Sequence, residues 1–421
     1  MRYWPCFYMK KIAFIVQRYG VEVNGGAEYL CRILAERLVG TYDVDVLTSC
    51  ALEYITWANY YPADTTTING VRVHRFATEY ERQAKDHLQY ETERKLKKWS
   101  RPEEWQGFGF LKMWGRALVG KTVRRFGLRW AQHQGPYTPD LITYLKHNHR
   151  QYDALIFITY LYYPTIAGLN IAPKKSIFIP TAHDELPIYL PVFPAVFHKP
   201  KAILFLTPAE KRFVHKQFHN EAIYNDVLGI GIETTDVVSP TPVATLLHTD
   251  APYVIYIGRI DKAKCCDMLF DYFIQYKETH PSPLKLVLVG QAFMPIPDHA
   301  DILPAGFVDE DVKVSLLKGA KALIIPSQYE SLSMVTLESF AYGIPVLANE
   351  QCEVLKDHIT SSQGGLLFTD YPSFENAVQQ LLSQDTATMG ENGRTYVKQN
   401  YTWDKVLTRF AKAVNYVSGN P

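Results

Sequence analysis

Short, β-branched apolar runs alternate along the chain with longer stretches whose apolar residues recur at helical spacing. Continuous apolar runs, rather than strict in-out alternation, mark strands covered on both faces, so the pattern predicts parallel sheets flanked by helices. In the first half the predicted strands are 11–16, 44–48, 71–76, 154–159, 176–179 and 202–206. The second half restarts the theme with 253–257, 284–289, 322–325, 345–348 and 365–368.

Between the halves, 233–250 is rich in Thr, Val, Ser and Pro and reads as a linker. The expected organisation is a Rossmann-like domain over 1–235, a second over 236–400, and a terminal segment 401–421. That last segment holds a helix near 403–417, which has the option of packing back on the first domain. A chain of 421 residues is long enough for two cores. Two open doubly wound parallel sheets facing each other would set the carboxyl ends of their strands around one central cleft, where such folds bind ligands.

Two stretches interrupt this rhythm. Residues 84–130 are charged and helix-favouring, and between 110 and 130 every charge is positive: Lys112, Arg116, Lys121, Arg124, Arg125 and Arg129, interleaved with Trp114, Phe126 and Trp130. Such a stretch is either a solvated helical insertion or a peripheral contact for an anionic membrane surface or acceptor. The uncharged run 154–173 is long enough to span a bilayer, yet its Tyr and Asn residues, Pro164 and Gly168 read as a buried strand followed by a turn.

Charge narrows the function classes. With 44 Lys and Arg against 43 Asp and Glu, nucleic acid is not expected as a partner. The six cysteines are scattered without a CxxC pair, which suits free thiols in a reducing cytoplasm. The first nine residues lack the apolar core and cleavage site of a signal peptide, and Met9 is an alternative start. The expected location is cytoplasmic, with peripheral contact at the inner membrane face as an option.

Four motifs follow predicted strands. Glu330 and Glu338 bracket the start of a helix running to Tyr342; eight positions along a helix separate them by about 12 Å, enough to grip two ends of an extended ligand. The amides near Leu332, Ser333 and Met334 would be helix-start donors that attract phosphate. Gly258-Arg259 through Lys264 places two cations at a strand's carboxyl end, where they would neutralise a diphosphate without a metal. Gly25-Gly26 allows close backbone approach to a phosphate or sugar, but no GxGxxG follows. His183 follows the predicted strand 176–179, placed to hydrogen-bond a reacting sugar. Each motif alone is also compatible with ordinary turn or surface chemistry. Asp43-Val-Asp45 also spells a metal-binding DxD, but it opens a strand on which both side chains share one face.

In order and spacing these four motifs resemble the family 4 retaining glycosyltransferases of the GT-B fold, over nearly the full length. The resemblance implies that Arg259 and Lys264 bind the donor diphosphate and support its departure. Glu338 would hold the ribose hydroxyls and Glu330 would sit by the donor sugar. His183 would lie at the reaction centre, and Gly25-Gly26 would cap the phosphates. Gly258, Ser333, Met334 and Val335 would line the donor site, with Phe307 and Val308 beside the base. It further implies a retaining, metal-independent, hexosyltransferase-type enzyme that needs no cofactor. The donor would be a UDP- or GDP-sugar, and the acceptor a glycan, a lipid-linked molecule or a small hydroxyl compound. One departure is visible: Cys265 stands where a Gly commonly follows the lysine, so it is expected to take a strained or shifted backbone. An epimerase or hydrolase on the same fold, and a non-catalytic nucleotide-sugar or glycan-binding subunit, stay open as alternatives.

Overall fold

The structure, a computed structural model, describes residues 9–23, 25–82, 127–236, 239 and 241–419. Most of the 84–130 insertion, including the cationic residues before Gly127, lies outside the described residues. The chain divides into two compact units, Met1–Leu228 with Leu407–Pro421, and Gly229–Val406.

The first unit holds an eight-stranded sheet in the order β3-β4-β2-β1-β5-β6-β7-β8. Its strands are β1 (Lys11–Ile15), β2 (Asp43–Ser49), β3 (Thr65–Ile68), β4 (Val71–Phe76), β5 (Ala154–Ile158), β6 (Ser176–Ile179), β7 (Ala202–Phe205) and β8 (Tyr224–Val227). All neighbours run parallel except β3 and β4. β5 is buried along its whole length, which is why its sequence is uniformly apolar rather than alternating. One face packs on a core of Phe157, Phe178, Phe193, Phe197, Phe205 and Trp130. Trp130 is fully buried and meets the Phe193 ring edge-on, so it belongs to this core and not to a membrane-facing surface.

The second unit holds a six-stranded parallel sheet in the order β11-β10-β9-β12-β13-β14. These are β9 (Tyr253–Ile257), β10 (Lys285–Val289), β11 (Ile302–Gly306), β12 (Leu323–Ile325), β13 (Val346–Asn349) and β14 (Gly365–Phe368). From β9 the chain winds outward to β11, then returns to the other side of β9 as β12. That is doubly wound topology, with its switch point between β9 and β12. In the first unit the same reversal falls between β1 and β5.

Every strand expected from an apolar run is present, but β3, β8 and β11 were not expected. All three are sheet edges. Two other expectations need correction. The stretch after β5 is not only a turn: it forms the helix Tyr163–Gly168. The stretch 233–250 is not a bare linker, since its helix Val243–Leu247 packs on β11 and on the helix Glu310–Gly319. No described helix is long and apolar enough to cross a membrane.

Candidate active site

In the second unit, β9 ends in a turn that backbone chemistry fixes tightly. Gly258 has φ 153° and its amide donates to the Val289 carbonyl at 2.9 Å. A Cβ on Gly290, at the end of β10, would lie 1.9 Å from the Gly258 carbonyl oxygen, so the two turns interlock backbone to backbone. The Arg259 carbonyl accepts from the Tyr256 hydroxyl at 2.6 Å. Asp261 then organises the cations: its Oδ1 accepts the Lys264 amide at 2.9 Å, and its Oδ2 lies 3.5 Å from Arg259 Nη2. Cys265, next in the chain, adopts φ 56° and ψ 33° before the helix Cys266–Thr279 begins. The left-handed backbone expected at that position is therefore carried by a residue with a side chain.

Across the switch point, the loop after β12 carries Glu330. Its Oε1 accepts from Lys264 Nζ at 2.6 Å, with the two side chains 15% and 26% exposed. The helix starts at Met334, later than expected, so Glu330 stands in the loop ahead of it rather than on the helix with Glu338. The helix-start donors accordingly move from Leu332 and Ser333 to Met334 and Val335, whereas Thr336 N–H already finds the Ser333 carbonyl at 3.1 Å. Ser333 takes a left-handed conformation, φ 56°, with its hydroxyl 2.9 Å from that of Thr336. His358, fully covered, pins the loop from behind: Nε2 lies 2.8 Å from the Leu332 carbonyl and Nδ1 3.1 Å from the Tyr396 hydroxyl. Burial pushes the His358 imidazole down to about 4, so at neutral pH it is an uncharged ring that donates through Nε2 to the carbonyl.

Met334, Val335 and Glu338 share the half-exposed stripe of their helix. Glu338 is not free. Its Oε2 accepts from Lys313 at 3.1 Å, and Lys313 also holds Glu310 at 2.8 Å. Burial raises the Glu338 carboxyl above its ordinary value, with Lys313 opposing. Phe307 and Val308 follow edge strand β11; Phe307 is 72% exposed, a ring face available to a planar ligand.

In the first unit, His183 follows β6, its Nε2 3.4 Å from Glu185 Oε1. The Tyr160 hydroxyl donates to that same oxygen. Thr181 at φ 51° turns the loop, and the buried Glu210 anchors it by accepting Ala182 N–H on one oxygen and Leu206 N–H on the other, each at 2.6 Å. Burial pushes the Glu210 carboxyl up to about 8, against the pull of those amides and of His183. Gly25 is N-terminal to the helix Gly26–Leu38 and has φ 149°. A Cβ there would meet Glu28 Oε2 at 2.3 Å, so the glycine makes room for the buried Arg18–Glu28 pair, 2.6 Å apart. Gly26 is exposed. Asp43 and Asp45 share one face as expected, and Arg72 bridges them at 2.9 and 2.6 Å. Lys11 at 3.2 Å, His74 Nε2 at 3.5 Å and the Tyr152 hydroxyl at 2.7 Å also surround the buried Asp45, so this pair is an ion cluster with Asp45 inside and Asp43 at the surface.

The structure thus sets Arg259 and the Lys264 amide on Asp261, joins the Lys264 ammonium to Glu330, and has Ser333, Met334 and Val335 follow Glu330 closely in the chain. Asp261, Gly290, Lys313, His358, Arg18 and Glu28 were not anticipated. Only Asp261 had a local signal, an Asp three residues before Lys264 in an Asx-type turn.

Comparison with known proteins bears on this unit first. A profile of "Glycosyl transferases group 1" matches residues 241–396. D-inositol 3-phosphate glycosyltransferase of Gordonia bronchialis is 25% identical over 42% of this chain and 43% of its own length. The chain spans less than half the length of the curated relatives it matches. Over the whole fold, sucrose-phosphate synthase from Thermosynechococcus elongatus superposes with a TM-score of 0.64 at 17% identity, covering 96% of this chain and 98% of its own. The Anabaena protein HepE, solved with UDP and glucose, gives 0.65 at 15%, covering 96% and 99%. The fold is GT-B, built of two Rossmann-like units.

Proposed function

We propose that the protein is a glycosyltransferase that moves a sugar from a nucleoside diphosphate donor to an acceptor hydroxyl, with the second unit as its donor side. The carrying observation is the 2.6 Å contact of Lys264 with Glu330. It joins a cation and a carboxylate from two strand ends at the switch point, immediately before a helix start. The group 1 profile over the same residues and the UDP-bound Anabaena neighbour support this reading.

In this reading Arg259 and Lys264 neutralise the diphosphate as its bond to the sugar breaks, in an oxocarbenium-like transition state. An ammonium has three N–H donors, so Lys264 can keep Glu330 while donating to a phosphate oxygen. The Met334 and Val335 amides add helix-start donors, and Gly258 lets the backbone pass close by. Glu338 takes the ribose hydroxyls through the oxygen that Lys313 leaves, while Phe307 and Val308 flank a uracil or guanine base. His183 and Gly25-Gly26 belong to the acceptor-binding unit, with His183 set against the reacting sugar. Transfer proceeds with retention, as in family 4, the departing phosphate accepting the proton of the acceptor hydroxyl on the same face. A metal is not required, the sugar is a hexose, and the acceptor is a glycan, a lipid-linked molecule or a small hydroxyl compound. The protein acts at the cytoplasmic side, with the cationic residues of 110–130 as a peripheral membrane contact.

Thermal melting against UDP and GDP identifies the base, since a ligand bound only by the folded chain raises its melting temperature. NMR of the transfer product then reads the anomer. A product of opposite configuration to the donor sugar sinks the retaining mechanism; isomerised donor in the absence of acceptor replaces transfer with epimerisation.

A further inference from the structure

Arg75 lies near the end of β4, 6% exposed, with its guanidinium 4.0 Å from the Tyr61 ring centroid. Its Nη1 has no hydrogen-bond partner among the described residues. Tyr61, Cys50, Glu22 and Asp64 act on it only through space, and it has no ion pair among the described residues. Burying a guanidinium without a carboxylate is costly, and folded proteins rarely tolerate it without a reason.

Arg75 also has companions. Thr48 of β2 is its direct register neighbour, so the two side chains leave the same face of the sheet. Thr48 Oγ1 is buried and unpartnered among the described residues. From the loop after β1, the Tyr19 phenol, 1% exposed, lies within electrostatic reach of Cys31, Glu36 and Arg32 and, more weakly, of Arg75, and its hydroxyl too lacks a partner among the described residues. A guanidinium N–H and two hydroxyls able to donate therefore sit at or just past the carboxyl ends of β1, β2 and β4 with no acceptor among the described residues. The missing complement is a compact group rich in acceptors and negative in charge.

The guanidinium itself is covered. Tyr61 caps the guanidinium, and the exposed Glu22 stands beside the Tyr61 hydroxyl. A Cβ on Gly20 would meet that hydroxyl at 2.9 Å and the Glu22 carboxylate at 3.3 Å, so the glycine leaves the room both need. Glu22 is the chain's own anion at this position.

We infer that Arg75, Tyr19 and Thr48 form a subsite for an oxyanion, a phosphate or carboxylate group, which enters by displacing Glu22 and Tyr61. That the group is carried by the sugar acceptor rests on the glycosyl-transfer reading; oxyanion binding itself does not.

The test uses the full chain carrying Arg259→Ala and Lys264→Ala, so that the proposed diphosphate site is silent. Its melting temperature is followed against inorganic phosphate and against acetate, with sodium chloride at matched ionic strength as the control. The expected result is a saturable rise with one or both oxyanions, tightened about threefold or more by Glu22→Gln and abolished by Arg75→Met. A rise with phosphate alone assigns a phosphorylated ligand, and a rise with acetate alone a carboxylated one. Without oxyanion, Arg75→Met should melt no lower than its parent, because it removes an unpaired buried charge while keeping an aliphatic stem under Tyr61. The inference is overturned if Arg75→Met retains the response, if neither oxyanion gives a saturable rise in the Glu22→Gln chain, or if Arg75→Met alone melts markedly lower. Nucleoside diphosphate binding, measured on the chain with Arg259 and Lys264 intact, decides the transfer reading separately.

Discussion

The carboxyl ends of the two sheets treat their polar groups differently. In the second unit the candidate site residues are held by the protein's own charges: Lys264 on Glu330, Lys313 on Glu338, Arg259 toward Asp261. None of the buried polar atoms found without a partner among the described residues lies there. In the first unit Gln17 Oε1, Tyr19 hydroxyl, Thr48 Oγ1, Arg75 Nη1 and Thr159 Oγ1 are all buried without one, at or just past strand ends. A self-satisfied site is ordered before it binds anything and suits a ligand part shared across many relatives. A site with unmet hydrogen-bonding capacity carries a cost in stability that a specific ligand can offset. The group 1 profile covers residues 241–396 and so reaches only the first kind.

The largest expected effect concerns a first-unit group whose cost is desolvation rather than a missing partner, Glu210. Its folded carboxyl is raised to about 8 from an ordinary 4.5. A raised value means that the folded state prefers the proton, so the stabilisation is complete below about pH 4.5 and drains away as pH rises through about 8. The drop amounts to about 4 kcal/mol across that window. Glu210→Gln cannot titrate, and its amide faces two backbone N–H donors with one oxygen. It should be less stable than wild type near pH 5, with the gap closing by most of that amount near pH 8 in urea melts. A gap constant with pH means that Glu210 ionises normally, and the first unit then loses its clearest example of a group kept at a cost.

Next in size is the rate effect at Lys264. Lys264→Ala should lower kcat for transfer by about 10² to 10³, on the scale of losing one donor to a developing oxyanion. Because the Lys264–Glu330 pair is partly exposed, stability should change by about 1 kcal/mol or less. A large loss of stability with kcat unchanged would make the pair a structural strut, and the contrast between the units would no longer concern ligands.

Much of this contrast was legible from residue pattern, and the rest was hidden for definable reasons. Strands buried on both faces announce themselves as apolar runs, and all of them were found. The three that were missed are edges: β3 is three threonines and an isoleucine, β8 reads Tyr-Asn-Asp-Val, and β11 contains Pro304. These three edges carry polar residues or proline, because one side lacks a neighbour, and the hydrophobic signal fades there; the fourth edge, β14, keeps an apolar Leu-Leu-Phe and was legible. Within the site, the pattern gave the residues but not their pairings. Glu338 with Lys313, and Leu332 with His358, join positions 25 and 26 apart, and no local spacing encodes such contacts. Arg75 was invisible for the opposite reason: an arginine in a strand reads as a solvent-facing residue until burial shows it is not.

The smallest effect concerns one of the four described positions at which the second unit holds a non-glycine residue in the left-handed region, the others being His248, Ser333 and Gln363. Cys265 sits at φ 56° and ψ 33°, a region where a side chain's Cβ crowds the following carbonyl at a cost of about 1 to 2 kcal/mol. Cys265→Gly removes that crowding. It also frees the unfolded chain, returning about 0.4 to 1 kcal/mol of the gain, and gives up the contacts of a half-buried thiol. The net expectation is a stabilisation of about 0.5 kcal/mol, read as a rise of one or two degrees in the melting temperature. Lys264 precedes this residue and its amide is fixed by Asp261 on the other side, so its position should hold and kcat should stay within about twofold. If Cys265→Gly instead destabilises the chain, the thiol's packing outweighs the backbone strain. If kcat moves several-fold while stability does not, the left-handed turn sets the reach of Lys264 toward Glu330, and strain in the second unit is tied to its chemistry as unmet polar groups are in the first.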